Sequence, residues 1–287
     1  MSALGEAQAR ITSIHKLKIV VGAMRGIAAA HTQQARNALD GYRAYAKVIS
    51  DGLAHAIELL EPNGLTSTPA AVGPSAAVVF TAEHGFAGAF TERVLDAVPG
   101  DEKARLFIAG SRGLALAEER GRRVDWSTAM ASQAAGVGAT ARHVADALYS
   151  GFVDERFARA EIVFAKLSGG SASTIVRKPI LPIDLSVFRA PRSGPPPLTN
   201  LPPRRLIEQL VGEYVFAELA LAALESFASE NAARLETMAS ARLNIDQKLD
   251  ELSGQERLLR QEQITAEVQE VTSGALAADT SRRSAAP

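Results

Sequence analysis

Two long stretches, one near each end of the chain, carry apolar residues at helical spacing. The longer one runs from about Leu206 to Leu276 without a proline, and its apolar residues recur at intervals of three, four or their sums. This period is typical of an amphipathic α-helix, and it continues well beyond the length of an ordinary globular helix. At about 1.5 Å per residue, it predicts a helix on the order of 100 Å long. Because a compact domain cannot bury an apolar stripe of that length, the helix needs a long partner.

The beginning of the chain supplies that partner. No proline occurs from Leu4 to Leu60, and apolar residues such as Ile11, Ile14 and Val21 repeat at mostly helical spacing. The first half of this stretch is largely basic, whereas the last third of the C-terminal stretch leans acidic. Antiparallel pairing of the two stretches brings these opposite charges together, although each exposed ion pair contributes little to stability. Two separate helices with solvated faces are the alternative; the length and terminal placement of both stretches favour a paired shaft.

The middle of the chain, from Ala76 to Ile183, has a different pattern. Short runs rich in β-branched and aromatic residues alternate with stretches of helical spacing. Strands interleaved with helices predict a mainly parallel sheet with helices on its faces. The predicted strands are 77–81, 105–109, 161–165 and 173–177, and the predicted helices are 91–98, 111–120 and 139–152.

Helix breakers set the predicted domain boundaries. Proline and an Asn-Gly pair at 62–64 end the first helix, and a proline-rich segment from Pro191 to Pro203 precedes the last one. The central domain is therefore an insertion between two shaft helices. The predicted parts are an N-terminal shaft helix over 1–62, a central α/β domain over 75–190, a C-terminal shaft helix over 204–277 and a disordered tail over 278–287.

Composition and charge restrict the classes of function. The chain contains no cysteine, so it forms no disulfide and no thiolate metal site. Its formal net charge of −1 gives no general attraction to nucleic acid or to an anionic membrane. The first residues lack the apolar core of a secretory signal, and no apolar run approaches the roughly 18 residues that span a bilayer. Any connection to a membrane is therefore expected to run through partner proteins.

The central region shows little sign of catalytic or cofactor chemistry. It has neither Gly-x-Gly-x-x-Gly nor a P-loop; the nearest approach is Gly85 to Gly88, after the first predicted strand. These glycines either cradle a phosphate or form a tight turn, and the missing lysine and third glycine favour the turn. The five histidines lack metal-ligand spacing, and His84 beside Glu83 is the one candidate general base, without a nucleophile motif. We predict a chain that is not itself an enzyme and needs no cofactor or metal.

Several segments resemble the signature motifs of one known protein family. Residues 229–241 read SENAARLETMASA and residues 260–275 read RQEQITAEVQEVTSGA, where the family has SEHAARMxAMxxA and RQAxITxExxEIxxGA. Residues 10–29 resemble the family's N-terminal RIxSVxxTxKITKAMKMVAA, and residues 81–88, TAEHGFAG, resemble its TSDxGLCG. The segments stand in the family's order and span nearly the whole chain, so the chain specifically resembles the F-type ATP synthase gamma subunit.

The resemblance implies a fold, a role and a set of partners. The implied fold is of the α/β class: a long antiparallel coiled coil of N- and C-terminal helices with an inserted Rossmann-like α/β domain. In this family the coiled coil lies inside a hexamer of alpha and beta subunits, and the remainder attaches to the epsilon subunit and to the c-ring of the membrane sector.

The implied function is the central rotor stalk of an F-type ATP synthase, which couples ion-driven rotation to conformational change in the hexamer. Its expected place is peripheral, on the cytoplasmic face of the bacterial plasma membrane. One alternative is a coiled-coil scaffold or tethering protein without a rotary role. Another is an enzyme that uses the central domain on a small anionic substrate, which the missing phosphate motifs disfavour.

The family's partner-binding residues carry over at five positions. Arg260, Gln261 and Thr265 match the polar contact toward the beta subunits, and Met24 and Arg25 match a methionine and a lysine of the first helix. An arginine at such a position can pair with both oxygens of a carboxylate on a moving loop. The alternative interpretation is an exposed helix face with ordinary polar residues.

Other positions depart from the family pattern. Ile19 and Gly22 replace lysines, Ala87 replaces a cysteine, Ala266 replaces a glutamine and Ser273 replaces a glycine. These differences suggest a divergent member, such as the gamma subunit of an alternate or sodium-type ATPase.

Overall fold

The two long terminal stretches are helical, as their periodicity predicts. The computed structural model of the protein describes residues 3–60, 73–99, 104–168, 173–188 and 198–284, with the backbone alone for 274–284. With elements numbered in chain order, α1 is Ala3–Glu58 and α5 is Pro203–Ser284. Pro203 begins α5, where its fixed φ and missing N–H suit the first position of a helix.

The end of α5 lies beyond the predicted boundary at 277. The helix continues to Ser284 and so overlaps the predicted tail over 278–287. The sequence offers a reason, since alanine and arginine are good helix formers and no proline occurs before Pro287. Residues 285–287 lie outside the described residues, as do residues 61–62 at the predicted end of the first helix.

The central region contains alternating strands and helices in the predicted order. All four predicted strands and all three predicted helices are present within a few residues of their expected bounds. The elements are β1 Ser75–Phe80, α2 Phe90–Asp96, β2 Arg105–Ala109, α3 Ser111–Glu119, β3 Trp126–Thr128, α4 Val137–Val153, β4 Arg159–Leu167 and β5 Ser173–Leu181.

The strands form one five-stranded sheet in the order β3-β2-β1-β4-β5. β1 pairs in parallel with both β2 and β4, β2 pairs in parallel with β3, and only β5 runs antiparallel, beside β4. The mainly parallel sheet is therefore confirmed. β3 was not predicted, because its three residues, Trp126–Thr128, are only half-buried or exposed and are too few to show a strand pattern.

The sheet is covered on both faces, which explains the unbroken apolar run in β1. On one face, Val78 and Phe80 pack in a cluster with residues of α4 and with Leu224 and Phe227 of α5. On the other face, Val79 packs in a second cluster that includes Val94 of α2. The α5 segment thus takes the place of one covering helix of the sheet.

The chain divides into two compact units: residues 1–25 with 238–287, and residues 26–237. In the first unit, α1 and α5 run antiparallel: the Lys18 ammonium lies 2.6 Å from the Asp246 carboxylate, and Gln8 donates to Glu256 at 3.1 Å. This unit is referred to below as the helix-pair unit.

The second unit, referred to below as the sheet unit, also pairs the two helices antiparallel. Arg43 of α1 lies 2.7 Å from Glu225 of α5, and Tyr45 donates a 2.5 Å hydrogen bond to Glu213. As the residue number rises along α1, the number of its partner on α5 falls. The predicted antiparallel pairing of the terminal helices is therefore confirmed within each unit.

Candidate partner-binding surfaces

The last part of α5 exposes every described side chain. From Arg260 to Ser273 each residue is exposed, including Ile264, Val268 and Val271 with exposed fractions of 54%, 60% and 73%. The spacing of these three places them along one face of the helix. An apolar face that the described residues leave uncovered is typical of a surface that binds a partner.

The polar residues predicted to bind a partner lie on this exposed segment. Arg260 donates a 2.5 Å hydrogen bond to Glu256, the carboxylate that also accepts from Gln8 of α1. The Thr265 hydroxyl donates to the backbone carbonyl of Gln261 at 2.8 Å. A guanidinium has five donors in a fixed fork, so Arg260 keeps the geometry needed to bind an incoming carboxylate.

Met24 and Arg25 occupy a different place on the helix-pair unit. Met24 is half-buried and packs against a cluster that contains Val21, Met238 and Ile245, whereas Arg25 is exposed. The sequence predicted a partner contact at Met24, and the structure shows in addition that it belongs to the core of the helix pair.

The structure does not bring the two groups of predicted residues together. Lys18 lies opposite Asp246 and Gln8 opposite Glu256, so Arg260 lies level with the first turn of α1 while Met24 lies farther along that helix. At about 1.5 Å per residue, this separates the two groups by on the order of 30 Å. They are two separate surfaces of one helix pair.

Exposed apolar residues also mark α1 near Met24. Leu17, Ile19 and Val20 have exposed fractions of 50%, 73% and 53%. Ile19, one of the departures from the family's lysines, thus replaces a charge with an apolar side chain that remains in solvent. Both helices of this unit therefore present apolar surface for a partner.

In the sheet unit, Glu83 has a structural role. Its carboxylate accepts hydrogen bonds from the Ser111 backbone N–H at 3.0 Å, the Ser111 hydroxyl at 2.6 Å and the Met130 N–H at 2.7 Å. Burial opposes ionisation of Glu83, but these bonds and the nearby charge of His84 outweigh it, so the pKa of Glu83 is lowered. A carboxylate held ionised at the start of α3 is a helix cap and is poorly suited to accept a proton.

His84 shows no catalytic arrangement either. Its Nε2 lies 3.3 Å from the Ser132 hydroxyl, and its backbone carbonyl accepts a hydrogen bond from Arg234 at 3.1 Å. The general base that the sequence left as a candidate therefore lies in a structural network. Among the described residues, no cluster of three or more histidine or acidic side chains is arranged to hold a metal ion.

The residues from Gly85 to Gly88 follow a bent path into a turn that the Phe90 N–H closes by donating to the Ala87 carbonyl at 3.3 Å. Phe86 and Gly88 have positive φ values of 65° and 57°, and the Gly85 carbonyl accepts a hydrogen bond from Arg234 at 3.1 Å. A phosphate cradle needs backbone N–H groups aimed at an anion, whereas the carbonyl oxygens of His84 and Gly85 here accept hydrogen bonds from the Arg234 guanidinium. The geometry favours the turn interpretation.

Sequence reasoning did not predict the contacts of one segment of α5, residues 230–234. Glu230, Asn231 and Arg234 are buried and form a polar network with the turn. The signal was present in the motif SENAARLETMASA, but side chains that bond to carbonyls about 150 positions away leave no local pattern.

The described part of the chain contains no helix that is both long and apolar enough to cross a membrane.

The family described as ATP synthase matches residues 3–278. The chain is 30% identical to an ATP synthase gamma chain of Frankia casuarinae, over 95% of this chain and 96% of that relative. It is 28% identical to an ATP synthase gamma chain of Heliobacterium modesticaldum, over 96% of this chain and 99% of that one.

Solved structures resemble the fold. The rotor of the Euglena gracilis mitochondrial ATP synthase superposes with a TM-score of 0.61 at 17% identity, covering 91% of this chain and 98% of that chain. The central stalk and c-ring structure of the Tetrahymena thermophila mitochondrial ATP synthase contains a chain with a TM-score of 0.56 at 16% identity, covering 77% of this chain and 99% of that chain.

Proposed function

Because this chain belongs to the ATP synthase gamma chain family, we propose that it is the central rotor stalk of a bacterial F-type ATP synthase. The observation that carries the proposal is the antiparallel helix pair, whose exposed apolar and polar face at the end of α5 has no cover within the described chain. Such a face suits insertion into an assembly of other subunits.

The proposed mechanism is differential contact. A stalk whose sides differ touches each surrounding catalytic subunit differently, and therefore biases each subunit toward a different conformation. As ion flow turns the stalk, the biased subunit changes. The chain supplies shape and contacts to this process, and catalysis of ATP synthesis or hydrolysis belongs to the subunits around it.

The exposed polar residues provide a specific contact in this proposal. Arg260 binds a carboxylate of a beta subunit, and Gln261 and Thr265 add hydrogen bonds beside it. Arg25 makes a second charged contact, while Met24 supports it by packing in the helix pair. These roles are proposals supported by the exposure of Arg25, Arg260, Gln261 and Thr265.

The remaining partners follow from the same proposal. The sheet unit attaches to the epsilon subunit and to the c-ring, which places the chain at the cytoplasmic face of the plasma membrane without crossing it. The departures from the family pattern, such as exposed Ile19 in place of a lysine, support a divergent member of the family.

Co-expression with the alpha and beta subunits of the same genome tests the proposal. The expected result is a stable complex with one copy of this chain per three alpha–beta pairs, and ATP turnover that depends on the chain. Pull-down with the epsilon subunit checks the other attachment. A chain that stays outside any hexamer contradicts the rotor function and favours a scaffold that only tethers partners.

A further inference from the structure

Two of the family-like segments, residues 81–88 and 229–241, have no role in the function proposed above, yet they meet in the sheet unit. The Arg234 guanidinium lies where they join: it donates to the backbone carbonyls of His84 and Gly85, each at 3.1 Å. It also donates to Glu230 at 2.5 Å and to Asn231 at 2.9 Å on its own helix. All three guanidinium nitrogens are engaged.

The network is shielded from solvent. The Arg234 side chain is 9% exposed and the Glu230 side chain 3% exposed. Burial raises the pKa of Glu230, and the charges of Arg234 and His84 oppose that effect. Removing one member of a buried ion pair leaves the other as an unpaired charge in the interior, which is strongly destabilising. The network therefore needs both Arg234 and Glu230.

Neighbouring contacts fix the same loop to α5. The Ser226 hydroxyl donates to the Phe80 carbonyl, at the end of β1, with a distance of 2.7 Å. Ala233 packs against the apolar cluster that contains Ala82 and Ala87. This hydrogen bond and the two that Arg234 donates to His84 and Gly85 are all accepted by backbone carbonyls. They therefore fix the backbone of the loop independently of its side chains.

We propose that Arg234, held in place by Glu230 and Asn231, fastens the loop after β1 to α5 so that turning force passes between α5 and the sheet at this point. β1 is the middle strand and is paired on both sides, so a force on its end reaches the whole sheet. The inference rests on the rotor function proposed above, because only a rotating part carries torque between these elements. Arg234 is a positioning residue, and it contacts no substrate.

Variants of Arg234 test the fastening in the complete ATP synthase, reconstituted in lipid vesicles with its partner subunits. The measured quantity is the number of ions pumped per ATP hydrolysed. Arg234→Ala should lower this ratio by roughly half or more, and Arg234→Lys should lower it less, because a lysine retains the charge but loses the planar fork. Arg205→Ala, at an exposed arginine of the same helix, is the matched control and should leave the ratio unchanged.

A covalent substitute for the network separates force transmission from loss of folding. A Cβ atom at Gly88 would lie 3.2 Å from the Thr237 hydroxyl oxygen, so side chains at these two positions touch and are within reach of a disulfide. The positive φ of Gly88, 57°, strains a cysteine there in the reduced and the oxidised protein alike, so the comparison between the two states stands. The chain has no cysteine of its own, so Gly88→Cys with Thr237→Cys introduces its only thiols. In the Arg234→Ala background, oxidation with diamide should restore the pumping ratio, and reduction should abolish the gain.

The outcomes distinguish this inference from the proposed function. If the wild-type complex does not assemble or pump, the rotor function itself is wrong. If the wild-type complex pumps and Arg234→Ala pumps equally well, or if the disulfide restores nothing, the inference is overturned and the rotor function stands.

Hydrogen exchange keeps the test decisive if Arg234→Ala does not fold. In Arg234→Lys, the amides of residues 85–88 should exchange about tenfold faster or more than in the wild-type chain, because lost charged hydrogen bonds favour local opening. Unchanged exchange at these amides overturns the inference.

Discussion

The Lys18 ammonium lies 2.6 Å from the Asp246 carboxylate and joins the two terminal helices of the chain. Arg242, one turn before Asp246 on α5, lies 4.0 Å from the other carboxylate oxygen. The pair lies next in sequence to the apolar cluster of Val21 and Ile245, so a polar link accompanies the apolar contact. A directional pair of this kind favours one register of the two helices over its neighbours.

The link predicts a loss of stability in acid. The hydrogen bond and charge of Lys18 lower the pKa of Asp246, against a smaller opposing effect of burial. A lowered pKa in the folded state contributes stability above the unfolded pKa, about pH 4, and that contribution is lost as pH falls through the folded pKa. Asp246→Asn should therefore lower the melting temperature at neutral pH, and the difference from wild type should vanish in strongly acidic buffer.

Thermal melts across this pH range check the expectation. Asp250→Asn, at an exposed aspartate of the same helix, is the control for general loss of negative charge. A difference between Asp246→Asn and wild type that persists unchanged in acid contradicts the assigned ion pair.

A charge in the core of the helix pair should separate the two helices. Ile245 is 8% exposed and packs against Val21, so Ile245→Asp buries a carboxylate or forces the helices apart, at a cost of about 3 kcal/mol or more. Leu243→Asp, two positions earlier and 66% exposed, should cost no more than about 0.5 kcal/mol.

Limited proteolysis and helical melting curves distinguish the two variants. The expected result is rapid cleavage within 238–273 for Ile245→Asp alone. Equal protection of both variants argues against the paired-helix arrangement of this unit.

Arg260 should matter to the assembly and little to the isolated chain. The side chain is 57% exposed and its partner Glu256 lies on the same helix, so Arg260→Ala should change the stability of the free chain by less than about 0.5 kcal/mol. In the complex, loss of a charged hydrogen bond should speed dissociation from the hexamer by roughly tenfold.

Dissociation rates of labelled chain measure this effect. Arg257→Ala is the control, since Arg257 is exposed and donates to the Ser253 carbonyl of its own helix. Equal dissociation rates for the two variants remove Arg260 from the proposed contact and leave the ordinary exposed helix face.

Two helical glycines should respond oppositely to alanine. A Cβ on Gly113 would lie 2.0 Å from the Thr81 hydroxyl oxygen, because α3 packs closely against the end of β1. Gly113→Ala should therefore destabilise the protein by about 1–3 kcal/mol through overpacking. Beyond the backbone of its own helix, no described residue lies within 4 Å of a Cβ on Gly212 of α5, so Gly212→Ala should stabilise the protein by about 0.5–1 kcal/mol.

Denaturant unfolding compares these two variants directly. The prediction requires that Gly113→Ala lowers the free energy of unfolding and that Gly212→Ala raises it. Destabilisation by Gly212→Ala points to a requirement for glycine in α5 that the packing does not reveal.

Most helices and strands were predictable because their regular apolar spacing extends over long stretches of the sequence. Proline-free stretches with helical spacing predicted α1 and α5, and buried runs such as Ala77–Phe80 predicted strands. β3 was not predicted because three residues at a sheet edge, two half-buried and one exposed, are too few to show a strand pattern. The predicted end of the last helix, at 277, lies before Ser284, because small and polar residues over 278–284 resemble a loop when only the sequence is considered.

The candidate sites were predictable only where a motif supplied them. Arg260 and Thr265 came from the resemblance, and exposure supports their place on the surface. Met24 received a partner role from the same resemblance, and its half-buried packing agrees with the helical spacing that it shares with Ile14 and Val21. Arg234 joins distant backbone carbonyls, and an arginine in an amphipathic helix gives no sign of such partners.

The register of the helix pair leaves the end of α5 without the packing that stabilises the rest of the helix. α1 begins at Ala3 and its Gln8 already lies opposite Glu256, so residues 261–273 extend past the start of α1 and are exposed throughout. This segment prolongs a helix that the paired part already nucleates, but it has no tertiary packing of its own and therefore opens more readily than the paired part. Binding into a surrounding cavity must then offset the conformational entropy lost by this segment, which lowers affinity per unit of buried area. Alanine or leucine substitutions that favour the helix, made away from the contact face, would strengthen assembly without adding a single contact.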